Sequence, residues 1–451
     1  MNLPNYYLAD SPDGALPTPD IVEECCRNLR RNRAKHLAHR STREIIGLLC
    51  EVAAEWLQPD TKYRKFALTE GPAATGFSRA TLERGLDGFF RQFTPENFHA
   101  LLTQEFGDAA RLDGFVASDG DAKRSMVVTP ELIAHVAAGN LPNPTLMSIT
   151  LGLLVRSAQF AKCASGTSLL PRLFVHSLHE ADPHLGACLE IAEWPGGSAQ
   201  LEKVLFADAD CVTATGSDET LAAIRSQLPV TKRFIGYGHR VSFGFVTSEV
   251  LSGPGVTKIV SAAADDVTAW DQQGCLSPHV IYVEDKGLIP AEKFAHLLAE
   301  ELERREATEP RGAISVAEAA TIASRREIYR LRAAHDPEAT RHWFSEGSTA
   351  WTVVFEADPR FQTSCLNRFI YVKPVRDLTD ALNHADAMRG KVSTVGIAVN
   401  EAKKNKHATE LAHWGVTRIC PLGQMQNPPL TWRHDGRPVL GDLVTWSDWE
   451  Q

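Results

Sequence analysis

The sequence predicts an α/β protein in which a helical N-terminal region precedes two regions of alternating strand and helix. Three observations predict it. Residues 20–110 place apolar side chains at helical spacing behind recognisable caps. From about 125 to 240, short apolar runs alternate with helix-like stretches, the pattern of a parallel, doubly wound sheet. From about 240 to 425 the alternation starts again. The 451 residues exceed what one core supports, so two or three domains are expected.

Taken in order, residues 1–20 are Pro-rich and polar, a loosely attached lead-in. Ser41-Thr42-Arg43-Glu44 is a capping box, and Ile45, Ile46, Leu48, Leu49, Val52 and Trp56 continue it as a helix. Leu86, Phe89, Phe90 and Phe93 form an apolar stripe before Thr94-Pro95-Glu96, another helix start with Pro in its first turn. Residues 126–142 read as a buried strand entering a Gly-containing turn. A helix follows over 145–157, a strand over 158–166, a long helical stretch from 168 to about 193, a strand within 203–217 and a helix over 218–228. The second region offers strands at 279–287, 351–358 and 368–375, and helices at 294–307 and 378–389. The tail from about 426 shows little regular pattern. The domains expected are a helical region at 1–110, a sheet domain at 111–245 joined by part of 426–451, and a second sheet domain at 246–425.

Composition narrows the classes. A net charge of −9 gives no overall pull toward nucleic acid or anionic membranes. Nine cysteines, at 25, 26, 50, 163, 188, 211, 275, 365 and 420, are odd in number and form no zinc-like pair; this favours a reducing compartment, the cytoplasm by default. The N-terminus lacks the features of a signal peptide. The longest apolar run, around Leu146–Val155, is too short to span a bilayer. Arg27, Arg30, Arg31, Arg33, Lys35, His36, His39 and Arg40 read as a solvated helix face or a docking patch for an acidic carrier or CoA phosphates. No metal site is expected there, since His36 and His39 have no third ligand nearby. Glu300, Glu301, Glu303 and Glu306 read as a solvated helix face. Trp432, Trp446 and Trp449 suggest packing against a neighbouring subunit or domain, and a homo-oligomer is expected.

Four short segments stand apart, in this order: Ala138-Gly139-Asn140-Leu141-Pro142, Phe160-Ala161-Lys162-Cys163-Ala164-Ser165, Ala214-Thr215-Gly216-Ser217 and Gln273-Gly274-Cys275. Each also has a plain structural reading. Most cysteines are small buried hydrophobes. Gly-Asn is a common turn pair, a Thr-Gly-Ser turn is an ordinary helix cap, and a Lys ends many strands. Yet cysteine is also the best side-chain nucleophile toward a carbonyl or thioester. Cys275 follows a glycine, in a turn, with Gln272, Gln273 and Ser277 beside it able to hydrogen-bond without crowding it.

In this order and spacing the four segments resemble the aldehyde dehydrogenase superfamily. There an N-x-P turn, a K-P-S-E-like strand end, a T-G-S turn opening a helix and a G-Q-x-C loop follow one another. The resemblance implies a Rossmann-like cofactor domain plus an α/β catalytic domain that carries Cys275 as nucleophile. It implies that the Asn140 side chain and the Cys275 N–H hold the oxyanion, at about 3 kcal/mol each. Lys162 would bond the adenosine ribose. Ser165 stands where an acid would repel a 2′-phosphate; being neutral, it permits NADPH and does not exclude NADH. Thr215, Gly216 and Ser217 would face the pyrophosphate at a helix N-terminus, although the family's second Gly is Leu221 here.

Hydrolytic members of the superfamily carry a Glu in an E-L-G-G segment, and that Glu activates water. The matching stretch here is Ile235-Gly236-Tyr237-Gly238-His239-Arg240, with Gly236 at the Glu place. His239 could serve as acid and base. This departure, with Thr75-Gly76-Phe77-Ser78 and the tail His434-Asp435-Gly436-Arg437 through Val444-Thr445-Trp446, makes the whole chain similar to the LuxC-type fatty acyl-CoA reductases. The resemblance implies that acyl-CoA or a carrier- or synthetase-bound acyl group is reduced to aldehyde with NADPH, in company with an acyl-activating enzyme. Two other readings stay open: a dehydrogenase oxidising aldehyde to acid, and a non-catalytic scaffold subunit of an acyl-processing complex.

Overall fold

The computed structural model describes residues 3–11, 17–117, 123–253 and 255–450. They fall into two compact units. The first comprises Met1–Thr75, Leu86–His239 and Pro429–Gln451, the second Gly76–Gly85 and Arg240–Pro428. The N-terminal helices and the C-terminal tail therefore share a unit with the first sheet.

In the first unit a five-stranded parallel sheet runs in the spatial order Leu189–Glu193, Ala158–Cys163, Leu132–Val136, Cys211–Thr215, Arg233–Tyr237. Its inner strands are buried along their length because helices cover both faces. On one face Val22, Cys26 and Leu29 of the helix Pro19–His36, and Leu205 and Phe206 of Ala199–Asp208, close on Leu132, Phe160 and Val212. The helices Asn143–Leu154 and Leu169–Ala181 also pack on the sheet. On Leu169–Ala181 rests the helix Thr42–Leu57, capped reciprocally by Ser41 and Glu44. The Trp56 indole donates to Ser177 Oγ at 2.9 Å and its ring stacks on Phe90 at 4.9 Å. A small antiparallel sheet pairs Arg124–Val128 with Val116–Ala117 and with Thr445–Trp449, so the end of the tail is a strand.

Three expected elements are corrected. The apolar run 126–142 is two strands in two different sheets, because Thr129-Pro130 breaks it. The stretch 168–193 is a helix over Leu169–Ala181, interrupted at Asp182-Pro183 before the short helix Pro183–Gly186, and Leu189–Glu193 is the edge strand. In 203–217 the first part, through Asp208, is the end of a helix, and the strand is only Cys211–Thr215.

The basic run is built into the structure more than a solvated face would be. Arg30 pairs with Asp210 at 2.8 Å and Glu131 at 2.6 Å, Arg33 donates to Arg156 O at 2.8 Å, and Arg40 pairs with Asp182.

In the second unit seven strands run in the spatial order Thr340–Phe344, Thr352–Glu356, Phe369–Val375, Pro278–Glu284, Val241–Val246, Val392–Ala398, Arg418–Pro421. All neighbours are parallel except the first pair. One face is covered by the helices Val256–Thr268 and Ala291–Glu306, the other by Val316–His335, Leu378–His384 and Glu401–Trp414. The acidic helix is tied in: Glu303 accepts the Trp351 indole N–H at 2.8 Å, and Glu301 pairs with Arg304 and Arg305. Among the described residues no helix is long and apolar enough to cross a membrane, and no group of His, Cys, Asp and Glu could hold a metal ion.

Candidate active site

The chain lays down the first sheet outward in one direction, then returns to the other side of Leu132–Val136 and continues outward. Loops therefore part at the C-terminal ends of Leu132–Val136 and Cys211–Thr215, the switch point where such sheets bind ligands. Three of the four segments lie along this edge. Val136 is level with Lys162 on one side and Ala214 on the other. Asn140 is exposed in the turn that leads from this strand to the helix Asn143–Leu154. Its neighbour Gly139 must be small: a Cβ there would lie 3.0 Å from Thr167 and 3.3 Å from Ala164, in the next loop.

Lys162 is 4% exposed, and its ammonium hydrogen-bonds no other described residue. Burial lowers its pKa below the usual lysine value, with Glu202 and Glu193 pulling the other way. An ammonium with no hydrogen-bond acceptor among the described residues, on a side chain otherwise buried at the switch point of a parallel sheet, fits the hydroxyls of a nucleotide sugar. Ser165 is exposed in the turn just beyond. In the Thr215-Gly216-Ser217 turn, Gly216 N donates to Tyr237 O at 3.2 Å and Ser217 Oγ caps the following helix through Thr220 N at 3.2 Å. Asp218 and Glu219 occupy that helix's first turn. They suit the helix dipole and oppose a phosphate placed there.

The edge strand Arg233–Tyr237 carries the next segment. A Cβ on Gly236 would lie 3.2 Å from Leu221 and 3.1 Å from Phe234, so a side chain at this position would crowd both. Gly238 is pressed by Asp218, whose Oδ1 would meet a Cβ at 2.5 Å. The same oxygen accepts the N–H of the exposed His239 at 3.2 Å. The tail braces this strand: His434 stacks on Tyr237 at 4.0 Å, and Arg437 donates to Gly236 O at 3.0 Å. The sequence therefore brings Asn140, Lys162, Ser165 and the Thr215–Ser217 turn to one sheet edge, with His239 after the strand beside it.

Cys275 belongs to the second unit, at the N-terminal end of the strand Pro278–Glu284. It is half-buried in a turn closed by Ser277 N on Gly274 O at 2.9 Å, and Ser242 Oγ donates to its carbonyl at 2.8 Å. The approach to this turn is unusual. Trp270, Asp271 and Gln272 are all left-handed, with φ of +52°, +48° and +64°, a conformation that costs non-glycine residues about 1–2 kcal/mol each. A second left-handed run, Leu366, Asn367 and Arg368, lies against it. Arg368 pairs with Asp271 at 2.7 Å, Gln273 donates to Asn367 Oδ1 at 2.6 Å, and Gln272 donates to Pro278 O at 2.7 Å and Phe369 O at 3.0 Å. Beyond the turn, Gln426 donates to Ser277 Oγ and covers Gly274, where a Cβ would lie 2.7 Å from its amide. The buried Asp266 holds the 423–425 turn through Gly423 N at 2.5 Å and Met425 N at 2.8 Å. Sequence reasoning missed Asp266, Asp271, Asn367, Arg368 and Gln426. Their partners stand up to 159 residues away, and no local pattern marks them.

Comparison with known proteins agrees with this architecture. The chain is 21% identical over 419 residues to the long-chain acyl-protein thioester reductase of Photorhabdus laumondii, covering 90% of this chain and 82% of that one. Its fold matches a putative aldehyde dehydrogenase, PutA, from Anabaena variabilis, with TM-score 0.70 at 16% identity, covering 96% and 93% of the two chains. It also matches an NAD-dependent benzaldehyde dehydrogenase from Corynebacterium glutamicum, with TM-score 0.70 at 13% identity, covering 96% and 91%. The fold is thus that of the aldehyde dehydrogenases, as the order of the four segments leads one to expect. The acyl-CoA reductase (LuxC) family matches residues 37–446, and it is to this family that the chain belongs.

Proposed function

We propose that the protein reduces acyl thioesters to aldehydes, taking the acyl group from CoA or from a carrier or synthetase. One observation carries this beyond family membership. The stretch Ile235–Arg240 holds no carboxylate, and Phe234 and Leu221 lie 3.1 and 3.2 Å from where a Cβ on Gly236 would sit. With no glutamate there to activate water, an acyl group on Cys275 is passed on instead of hydrolysed.

In this reading the Cys275 thiolate attacks the thioester carbonyl. The carbon–sulfur bond to the donor breaks, the donor thiol leaves protonated, and the acyl group is held on Cys275 Sγ. The Asn140 amide and the Cys275 N–H hold the oxyanion, each contributing about 3 kcal/mol to the barrier reduction. His239 takes the proton from the Cys275 thiol and returns it to the departing thiol. When bound, a nicotinamide cofactor, NADPH on the family resemblance, supplies the hydride that reduces the acyl carbon. Lys162, with Ser165 beyond it, would hold its ribose, and the Thr215–Ser217 turn its pyrophosphate. Collapse of the reduced adduct breaks the bond to Sγ, frees the aldehyde and regenerates the thiolate. The protein works as a homo-oligomer in the cytoplasm beside an acyl-activating enzyme.

The test is intact-mass spectrometry after incubation with a panel of acyl-CoAs and no reductant. An acyl adduct mapped to Cys275 and lost in Cys275→Ser is expected. Rapid release of free acid from aldehyde and NADP, without added thiol, would overturn the proposal in favour of aldehyde oxidation. Absence of any adduct would favour a scaffold subunit.

A further inference from the structure

His279 lies four residues beyond Cys275, second in the strand Pro278–Glu284, and is 7% exposed. A buried ring nitrogen calls for a partner, and Ser364 supplies it from two positions before the left-handed run 366–368. The Ser364 N–H donates to His279 Nδ1 at 3.0 Å, and Ser364 Oγ lies 3.1 Å from the same nitrogen. Leu366 N and Gln272 Nε2 both donate to that oxygen, at 3.2 and 3.4 Å. The carbonyls of Pro278 and Phe369 face Gln272 Nε2 and so fix which end of its amide is nitrogen. A hydroxyl has one proton to give. Since Leu366 and Gln272 approach Ser364 Oγ as donors, its proton is directed at His279 Nδ1. That nitrogen therefore accepts twice and carries no proton, which leaves the ring neutral with its hydrogen on Nε2. Three segments meet at this one hydroxyl: the run 270–272 through Gln272, the run 366–368 through Leu366, and the strand after Cys275 through His279.

We propose that His279 is a positioning residue for Cys275, its Nδ1 holding Ser364 so that the two left-handed runs and the strand after the cysteine stay in one arrangement. This rests on the acyl-thioester reading of Cys275. An apolar side chain at 279 would fill the space but accept nothing. The N–H and hydroxyl of Ser364 would lose their acceptor, and the loop would turn to recover one from water. A displacement of about 1 Å at a reacting atom can cost about a hundredfold in rate. The effect belongs in the rate at which Cys275 is acylated, since His279 is not assigned a contact with the acyl donor.

The experiment compares His279→Leu with His279→Asn in the full chain. Asparagine places its side-chain oxygen where Nδ1 stands and keeps the acceptor; leucine removes it. Cys275 is read in two ways, by acyl loading from acyl-CoA and by alkylation with iodoacetamide, both mapped to its peptide by mass. At saturating acyl-CoA the leucine variant should load at least tenfold more slowly than the parent, with the half-saturating concentration changed less than threefold. The asparagine variant should recover loading to within threefold of the parent. Equal rates in the two variants, whether fast or slow, overturn the inference. If the leucine variant does not fold, Ser364→Ala replaces it: this keeps the backbone and loses the hydroxyl, so loading should slow at least threefold, and a parent-like rate overturns the inference. If the parent itself takes up no acyl group, the thioester reading fails. The positioning role is then decided by alkylation alone, upheld by a tenfold difference between leucine and asparagine and overturned by none.

Discussion

Replacing Arg368 by methionine should damage the protein twice, in global stability and in the reactivity of Cys275. The Arg368 side chain is 1% exposed and that of its partner Asp271 is 6% exposed. Arg368 Nε donates to Asp271 Oδ1 at 2.8 Å, and Nη1 donates to Glu309 O at 2.8 Å. Asp271 Oδ2 accepts Gly312 N–H at 3.0 Å. The methionine fills similar space but leaves Asp271 as a buried carboxylate with that one amide. Removing one partner of a buried ion pair costs about 3–5 kcal/mol. The three left-handed residues at 270–272 store about 3–6 kcal/mol, comparable to what the pair supplies to hold them. The backbone before Cys275 should therefore relax once the pair is lost.

For a unit of this size, about 3 kcal/mol corresponds to a fall in Tm of about 6–12 °C. Scanning calorimetry reads that directly. Asp271→Asn should fall less, because Arg368 keeps Glu306 at 3.1 Å and Glu309 O. The double variant should lose less than the sum of the singles, since no unpaired charge is left buried. Acyl loading of Cys275, followed by intact mass, should slow at least tenfold in Arg368→Met. A Tm within 2 °C of the parent together with unchanged loading would refute the claim that this pair holds the turn at Cys275.

Three other outcomes are expected. Gly139→Ala brings a Cβ to 3.0 Å from Thr167, so it should shift the Asn140 turn and lower kcat about tenfold with little change in Tm; wild-type kcat would count against Asn140 as an oxyanion donor. Gly85→Ala, in the interior of the helix Arg79–Phe90, would ordinarily gain about 1 kcal/mol, yet its Cβ would lie 2.0 Å from the Trp270 ring, so calorimetry should show a lower Tm, and a higher one would disprove this packing. Between pH 6.5 and 8, stability should fall as pH rises, because burial raises Asp266 to about 7 and Glu190 to about 8, so the folded chain keeps protons that unfolded carboxylates have shed; His135, lowered by burial to about 4, has the opposite effect only below pH 6.5. Glu190→Gln should flatten that slope in calorimetry, and a Tm that climbs from pH 6.5 to 8 contradicts the assignment.

The parts of this molecule that the sequence reveals are those whose chemistry is local. Caps such as Ser41–Glu44 and the order of the four segments need only neighbours along the chain. The switch point at Val136 follows once strand and helix alternate. Sequence and structure differ where an apolar run has two owners: Val204, Leu205 and Phe206 suit a strand as well as the buried face of the helix Ala199–Asp208, and only packing against the sheet decides. The helical stretch expected through about 193 takes in Glu193, which instead ends the edge strand Leu189–Glu193.

The turn at Cys275 shows a deeper limit. Left-handed backbone is usually announced by glycine, and neither 270–272 nor 366–368 contains one. Glycines would remove the steric cost at these positions, but they would also remove the groups that join the two runs. Asp271, Gln272, Asn367 and Arg368 each use the side chain a glycine lacks, in bonds that cross 94 to 97 residues of sequence. The strain and its restraint are thus supplied by the same residues. Loosening either run should release the other, and the position of Cys275 is a property of the pair of loops, with the short motif around it supplying the cysteine but not the hold on it.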